Sequence, residues 1–228
     1  MLDKTKRAVR AALVPAGLAA LASCASVAPA PAPVPAPLPD YDALMAAMLK
    51  SSFRDQGIAT VDRLQQDASN AECSIAAGKP LPDARARAIE AANLATIRLP
   101  ADGRFIGDWK AGEALAQNGR GMTWTDPSAA PSANGGNCYN CHQISQAEIS
   151  YGTIGPSLYQ YGKLRGVSDP ASSASQPIVE YTWRKLYNAK AYNACSGMPR
   201  FGHAGMLDDK QLKDIMALLL DPASPVNQ

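Results

Sequence analysis

Long apolar runs are missing from this sequence. Beyond the N-terminus nothing approaches the ~18 consecutive apolar residues of a membrane-spanning helix, so no internal span is expected. Alternation of apolar and polar residues at strand period is missing too, as is any internal repeat, which argues against an all-β or repeat architecture and leaves a helical one. Neither sign of charge dominates, with 22 basic against 20 acidic residues. A nucleic-acid binder would need a basic stripe, and none is present. Histidine is scarce, at His142 and His203 only, which limits any metal-ligand set.

What is there begins with an export pattern. Lys4, Lys6, Arg7 and Arg10 form a basic n-region, and Ala11 to Ala22 form a short apolar stretch, together a signal peptide over residues 1–23. Leu21-Ala22-Ser23-Cys24 then resembles a bacterial lipobox, in which Cys24 becomes the lipidated N-terminus. The alternative is an ordinary cleavable signal with a cysteine nearby by chance. The next segment favours the lipobox: residues 24–40 are rich in Pro and Ala, and such a polyproline II spacer, at roughly 3 Å per residue, tethers a domain off a surface. Removing residues 1–23 takes four of the 22 basic residues and one of the 20 acidic, leaving 18 against 19, a net charge of −1. The expected address is periplasmic with a membrane tether through Cys24.

Residues 41–100 read as a helical extension. Leu44, Met45, Met48, Leu49 and Phe53 recur at helical spacing over 41–54, and the methionines are expected in the core. Ile58, Val61 and Leu64 give a shorter helical phase, and a third helix is expected over 83–98, stopping before Pro100. Residues 101–228 are the size of one further domain. Helices are expected over 108–117, with Trp109, Leu115 and Ala116 inward, and over 179–193, with Val179, Trp183, Leu186 and Tyr187 on one side. A last helix starts near Asp208, which makes a capping box with Gln211 and precedes a stripe of Leu212, Ile215, Met216 and Leu219. Trp109, Trp124 and Trp183 are expected to pack in the core or against a cofactor.

Between these helices stands Cys138-Tyr139-Asn140-Cys141-His142. This C-x-x-C-H is the attachment sequence of a c-type haem. Cysteines at this spacing can each form a thioether to one haem vinyl group, and the following histidine then lies beneath the iron. A zinc site would need a second ligand pair close by, and only His203 and two distant cysteines remain. A thioredoxin-type redox pair would sit in a βαβ context, which the pattern does not provide. One covalent haem c is therefore the expected cofactor. Of the five cysteines, Cys73 and Cys195 are left over. In an exported chain two such cysteines form a disulfide; the alternative is two free thiols, one of them reactive.

A sixth iron ligand has few candidates. Met45 and Met48 lie in the extension and Met216 on a core stripe, which leaves Met122, Met198, Met206 and His203. Residues 101–228 resemble class I cytochromes c, in which an N-terminal helix precedes the haem motif, a Gly-Pro-x-Leu follows it and a C-terminal helix packs back. Here Gly155-Pro156-Ser157-Leu158 begins 13 residues after His142. The resemblance implies that the Pro156 carbonyl bonds the outer ring nitrogen of His142, and that Met198, followed by Pro199 in a loop 56 residues beyond His142, is the distal ligand. His/Met ligation favours ferrous iron relative to bis-His ligation and leaves no open position for substrate, which points to electron transfer.

A narrower resemblance is carried by Tyr151-Gly152-Thr153-Ile154-Gly155-Pro156-Ser157-Leu158, Tyr181-Thr182-Trp183, Tyr187-Asn188-Ala189, Tyr192-Asn193-Ala194-Cys195, Met198-Pro199-Arg200-Phe201-Gly202-His203 and Ala217-Leu218-Leu219-Leu220-Asp221-Pro222. These resemble the SoxX family, small monohaem subunits of the SoxAX thiosulfate-oxidising complex. The resemblance implies thioether sites at Cys138 and Cys141, a proximal ligand in His142 and a distal one in Met198. It implies three partners: a SoxA-like cytochrome subunit bearing the catalytic cysteine, a SoxYZ-like carrier whose cysteine receives thiosulfate, and a small cytochrome acceptor downstream. On this expectation no catalytic residue lies in this chain. Arg200 and His203 would meet haem propionates or a partner surface. The alternative is a general periplasmic electron carrier serving a terminal oxidase.

Overall fold

The computed structural model describes residues 38–228; the signal segment, Cys24 and the tether as far as residue 37 lie outside the described residues. Six α-helices follow in chain order: α1 (Tyr41–Ser52), α2 (Ala68–Ile75), α3 (Asp83–Leu94), α4 (Trp109–Gln117), α5 (Gln176–Tyr187) and α6 (Asp209–Leu220). Short 3₁₀ turns stand between them, among them Cys138–Asn140 and Ala189–Ala191. Among the described residues there is no strand, only an isolated bridge between Gln56 and Ala59, so residues 38–228 are all-α. Residues 46–228 form one compact unit; the unit before it ends at Met45.

The core is built on α4, α5 and α6. Trp183 and Met216 are fully buried, with Leu212, Leu218, Leu220, Val179 and Ile144 around them. Asp208 caps α6 by accepting from the Gln211 N–H at 2.8 Å, while Gln211 Oε1 accepts from the Asp208 N–H at 3.0 Å, which completes the capping box. The sequence does not announce how closely α4 and α6 cross. A Cβ placed on Gly112 of α4 would overlap the Asp214 carbonyl of α6 and touch Leu218. Asp214 is buried, and its carboxylate is satisfied on both sides. Oδ1 accepts from the Asp108 N–H at 2.9 Å, so α6 helps to fix the start of α4, and Oδ2 pairs with Lys210 at 2.7 Å.

Three expectations are corrected. The apolar stripe of α1 is not core: the helix buries none of its residues, and Leu44, Met45, Met48 and Phe53 are each about half exposed. Helical spacing gathers apolar side chains on one face but does not supply a surface to cover it. Trp124 is likewise exposed. The stretch 179–193 is not one helix. It starts earlier, at Gln176, and ends at Tyr187, because the Asn188 side chain accepts from the Lys190 N–H at 3.2 Å and turns the chain into a 3₁₀ turn. One helix was not foreseen: α2, capped by Asp67, whose Oδ1 accepts from the Asn70 N–H at 2.8 Å.

The segment 67–98 is joined to the C-terminal half by several bonds that cross residue 100. Cys73 and Cys195 form a disulfide with their Cα atoms 5.5 Å apart. Asn188 Nδ2 donates to Asn93 Oδ1 at 3.0 Å, and Trp183 Nε1 donates to the Arg98 carbonyl at 2.8 Å. α3 packs on the turn Ala189–Ala191.

The helix crossing yields a prediction in which two effects oppose. Alanine at an exposed helix position beats glycine by about 1 kcal/mol. At Gly112 the new methyl meets a backbone carbonyl that cannot rotate away, a misfit worth about 1–3 kcal/mol. Gly112→Ala is therefore expected to lower the urea midpoint of unfolding; a raised midpoint would show that the helices can part without cost.

Candidate functional site

The C-x-x-C-H motif hangs from α4. Gly136 N donates to the Leu115 carbonyl at 2.8 Å, Asn137 N to the Asn118 carbonyl at 3.0 Å and Gly135 N to the Arg120 carbonyl at 2.9 Å. Asn137 then takes a left-handed conformation, at φ 50°, which asparagine tolerates better than most residues. That reversal starts the 3₁₀ turn Cys138–Asn140, and the His142 N–H returns to the Cys138 carbonyl at 2.9 Å. Cys138, Cys141 and His142 are thereby wound onto one turn. Both cysteines are free thiols and half-buried.

A second segment runs beside the motif and is bonded to it in three places. Gly152 N donates to the Tyr139 carbonyl at 2.8 Å, Gly155 N to the Cys141 carbonyl at 2.9 Å and Leu158 N to the Gln143 carbonyl at 2.7 Å. The Ser157 hydroxyl also donates to Gln143 Oε1 at 3.0 Å. This strap sets the imidazole. His142 Nδ1 lies 2.6 Å from the Pro156 carbonyl; a carbonyl only accepts, so Nδ1 is the donor and Nε2 is the nitrogen left facing away from that bond. Gly155 packs directly on the ring: a Cβ there would overlap Cε1 of His142 and press on both nitrogens. Gly152 is under the same constraint from the Asn140 carbonyl. The roles of Gly152 and Gly155 as contact glycines were not read from the sequence, although their spacing, three apart opposite the motif, was the available signal.

Burial pushes the Cys138 thiol up to about 12, with the neighbouring Cys141 adding to the effect. Burial also raises the Tyr139 phenol, helped by the Glu113 carboxylate on α4. Among the described residues no group of three or more His, Cys, Asp or Glu is placed to hold a metal ion by itself.

The other candidate residues fall as follows. Met198 and Met206 are half-buried and pack against the main core, which Cys138 also borders. Met122 sits at a left-handed corner, φ 64°, where its carbonyl accepts from Arg63 at 2.7 Å. His203 is exposed; its N–H donates to the Tyr187 carbonyl at 3.0 Å, and residual desolvation with the nearby Arg200 guanidinium lowers its pKa. Arg200 is paired with Asp67, the cap of α2. That pairing was not expected from sequence, because the partners are 133 residues apart.

A c-type haem tests well against this arrangement. Two thiols and an imidazole lie on one turn, and the Pro156 carbonyl engages Nδ1 of that ring. The donor set suits covalent attachment through Cys138 and Cys141 with His142 as ligand.

No known family profile matches the chain. Over 138 residues it is 39% identical to a protein of Aquifex aeolicus (strain VF5) described as an uncharacterized lipoprotein. The match takes in 59% of this chain and 59% of the relative, so the chain spans about three fifths of that relative's length.

With only two histidines, the imidazole packing is open to a clean measurement. In wild type, a nitrogen–proton correlation spectrum should show His142 as one tautomer protonated at Nδ1. Gly155→Ala is expected to displace the ring and turn that signal into a tautomer mixture. A variant spectrum identical to wild type would refute the close contact.

Proposed function

We propose that this chain is an exported c-type cytochrome, of class I fold with an N-terminal helical extension, that transfers electrons. The observation that carries the reading is the state of His142: within C-x-x-C-H, its Nδ1 is engaged by the Pro156 carbonyl over Gly155, which leaves Nε2 as the donor. Cys138 and Cys141 would hold a haem through thioethers, His142 would be its proximal ligand and Met198 its distal ligand. When bound, the haem would supply a one-electron ferric–ferrous couple. The chain's own part is to fix the histidine through the Pro156 carbonyl and to carry Met198 on the loop after α5.

The proposed setting is the SoxAX type of complex. The sequence blocks that resemble SoxX support it: Tyr151 to Leu158, Tyr192 to Cys195 and Met198 to His203. The catalytic cysteine of such an S-thiosulfotransferase would then lie on a SoxA-like partner, with a SoxYZ-like carrier as substrate and a small cytochrome as acceptor. The chain would work in the periplasm. A membrane anchor at Cys24 is supported by the lipobox-like Leu21-Ala22-Ser23-Cys24 and by the lipoprotein description of the Aquifex aeolicus relative. No described helix is long and apolar enough to cross a membrane.

Two measurements test this. The holoprotein, tagged and recovered from thiosulfate-grown cells, is expected to carry one covalent haem, to lose it in Cys138→Ser/Cys141→Ser, and to bring down a second cytochrome subunit. Covalent haem without such a partner would favour the general electron carrier; no covalent haem would end the cytochrome reading altogether. Cys24→Ser is expected to move the protein from the membrane fraction to the soluble periplasm, and an unchanged distribution would refute the anchor.

A further inference from the structure

The loop that carries Met198 is held on both sides by one short helix of the extension. Cys195 stands three residues before Met198 and is bonded to Cys73 in α2. Arg200 stands two residues after it and is paired with Asp67, the N-cap of the same helix. Asp67 serves both ends of this arrangement, because Oδ1 caps α2 and Oδ2 takes the guanidinium. The loop's entry is fixed further at Ala194: its N–H donates to Glu90 Oε1 of α3 at 3.2 Å, and its carbonyl accepts from the buried Lys190 ammonium at 3.0 Å. α2 itself is backed by α3, where Asn93 Nδ2 donates to the Ser69 hydroxyl at 3.0 Å. Between the two grips the loop has little internal support. A Cβ at Gly197 would meet nothing within 4 Å, and the Met198 N–H is held only by the Ser196 hydroxyl at 3.2 Å.

We propose that α2 is a clamp for the Met198 loop, with Cys73, Cys195, Asp67 and Arg200 as positioning residues for the distal ligand. The inference rests on the reading of Met198 as that ligand. A loop containing glycine and tied at one end samples many arrangements; tying both ends removes most of them. A methionine sulfur is a weak ligand that other donors displace, so its hold on iron depends on how little the loop can move. Arg200 is mostly buried in its pairing, with its side chain 17% exposed, which assigns it to the clamp. The extension thus has a task that reaches the iron site without touching it.

The test uses the ferric holoprotein and imidazole as the competing ligand. Wild type should show the long-wavelength charge-transfer band of methionine-ligated ferric haem. Asp67→Asn and Cys73→Ser/Cys195→Ser should each retain covalent haem and weaken that band. Each should also bind imidazole about tenfold more tightly, because the competing methionine-bound state is less populated. The midpoint potential should fall in both. Arg200→Gln, which leaves the α2 cap at Asp67 intact, should weaken the band as Asp67→Asn does. Should the disulfide variant fail to fold, Asp67→Asn and Arg200→Gln still decide the matter. Band, imidazole affinity and potential all unchanged in folded variants would overturn the clamp while leaving Met198 as ligand. A wild-type holoprotein with no such band would instead overturn the ligand assignment, and the clamp with it.

Discussion

The close crossing of α4 and α6 at Gly112 governs where the other parts can lie. With no side chain between them, the Asp214 carbonyl of α6 meets the α4 backbone, and the Asp214 carboxylate reaches the Asp108 N–H. α4 is thereby fixed at its start, and its last turn becomes a fixed edge. From that edge the backbone carbonyls of Leu115, Asn118 and Arg120 hold residues 135–137. The turn bearing Cys138, Cys141 and His142 begins on the next residue. The orientation of the motif is therefore inherited from a helix pair that contributes no ligand of its own.

The imidazole is set by a different device, a strap of backbone bonds rather than side-chain packing. Gly152, Gly155 and Leu158 donate in turn to Tyr139, Cys141 and Gln143, and the strap brings the Pro156 carbonyl to Nδ1. Glycine is needed at 155 because the ring occupies the space a Cβ would take. Backbone bonds do not change rotamer, so the ring position is less exposed to thermal motion than one held by long side chains. The loop carrying Met198 is treated otherwise. It has few backbone bonds of its own and is tied down by a disulfide and an ion pair to a distant helix.

Much of the C-terminal half was legible in the residues. The capping box at Asp208 and the stripe Leu212, Ile215, Met216 and Leu219 are local patterns, with partners within one turn or on one face, and they fold as read. Val179, Trp183, Leu186 and Tyr187 were read inward and are buried. The extension was less legible. The α1 stripe has helical period, yet its face is exposed. α2 is short and of mixed polarity, so its signal is its Asp67 cap rather than its apolar pattern. Trp124 was expected in the core or against a cofactor; it lies on an exposed turn and is not in the core.

The sequence by itself determined the helical class, the C-x-x-C-H turn and the ends of several helices, because those depend on residues within a few positions of each other. It also left Cys73 and Cys195 as the natural disulfide pair by elimination. The tertiary structure alone decided that Gly112 is a crossing point, that Gly155 is the floor under an imidazole, and that Arg200 turns to Asp67 instead of outward. Each of these joins atoms far apart in the chain, and no local period or propensity encodes which distant backbone will arrive. Only the folded packing, with its limited space around each Cα, selects the glycine and the partner.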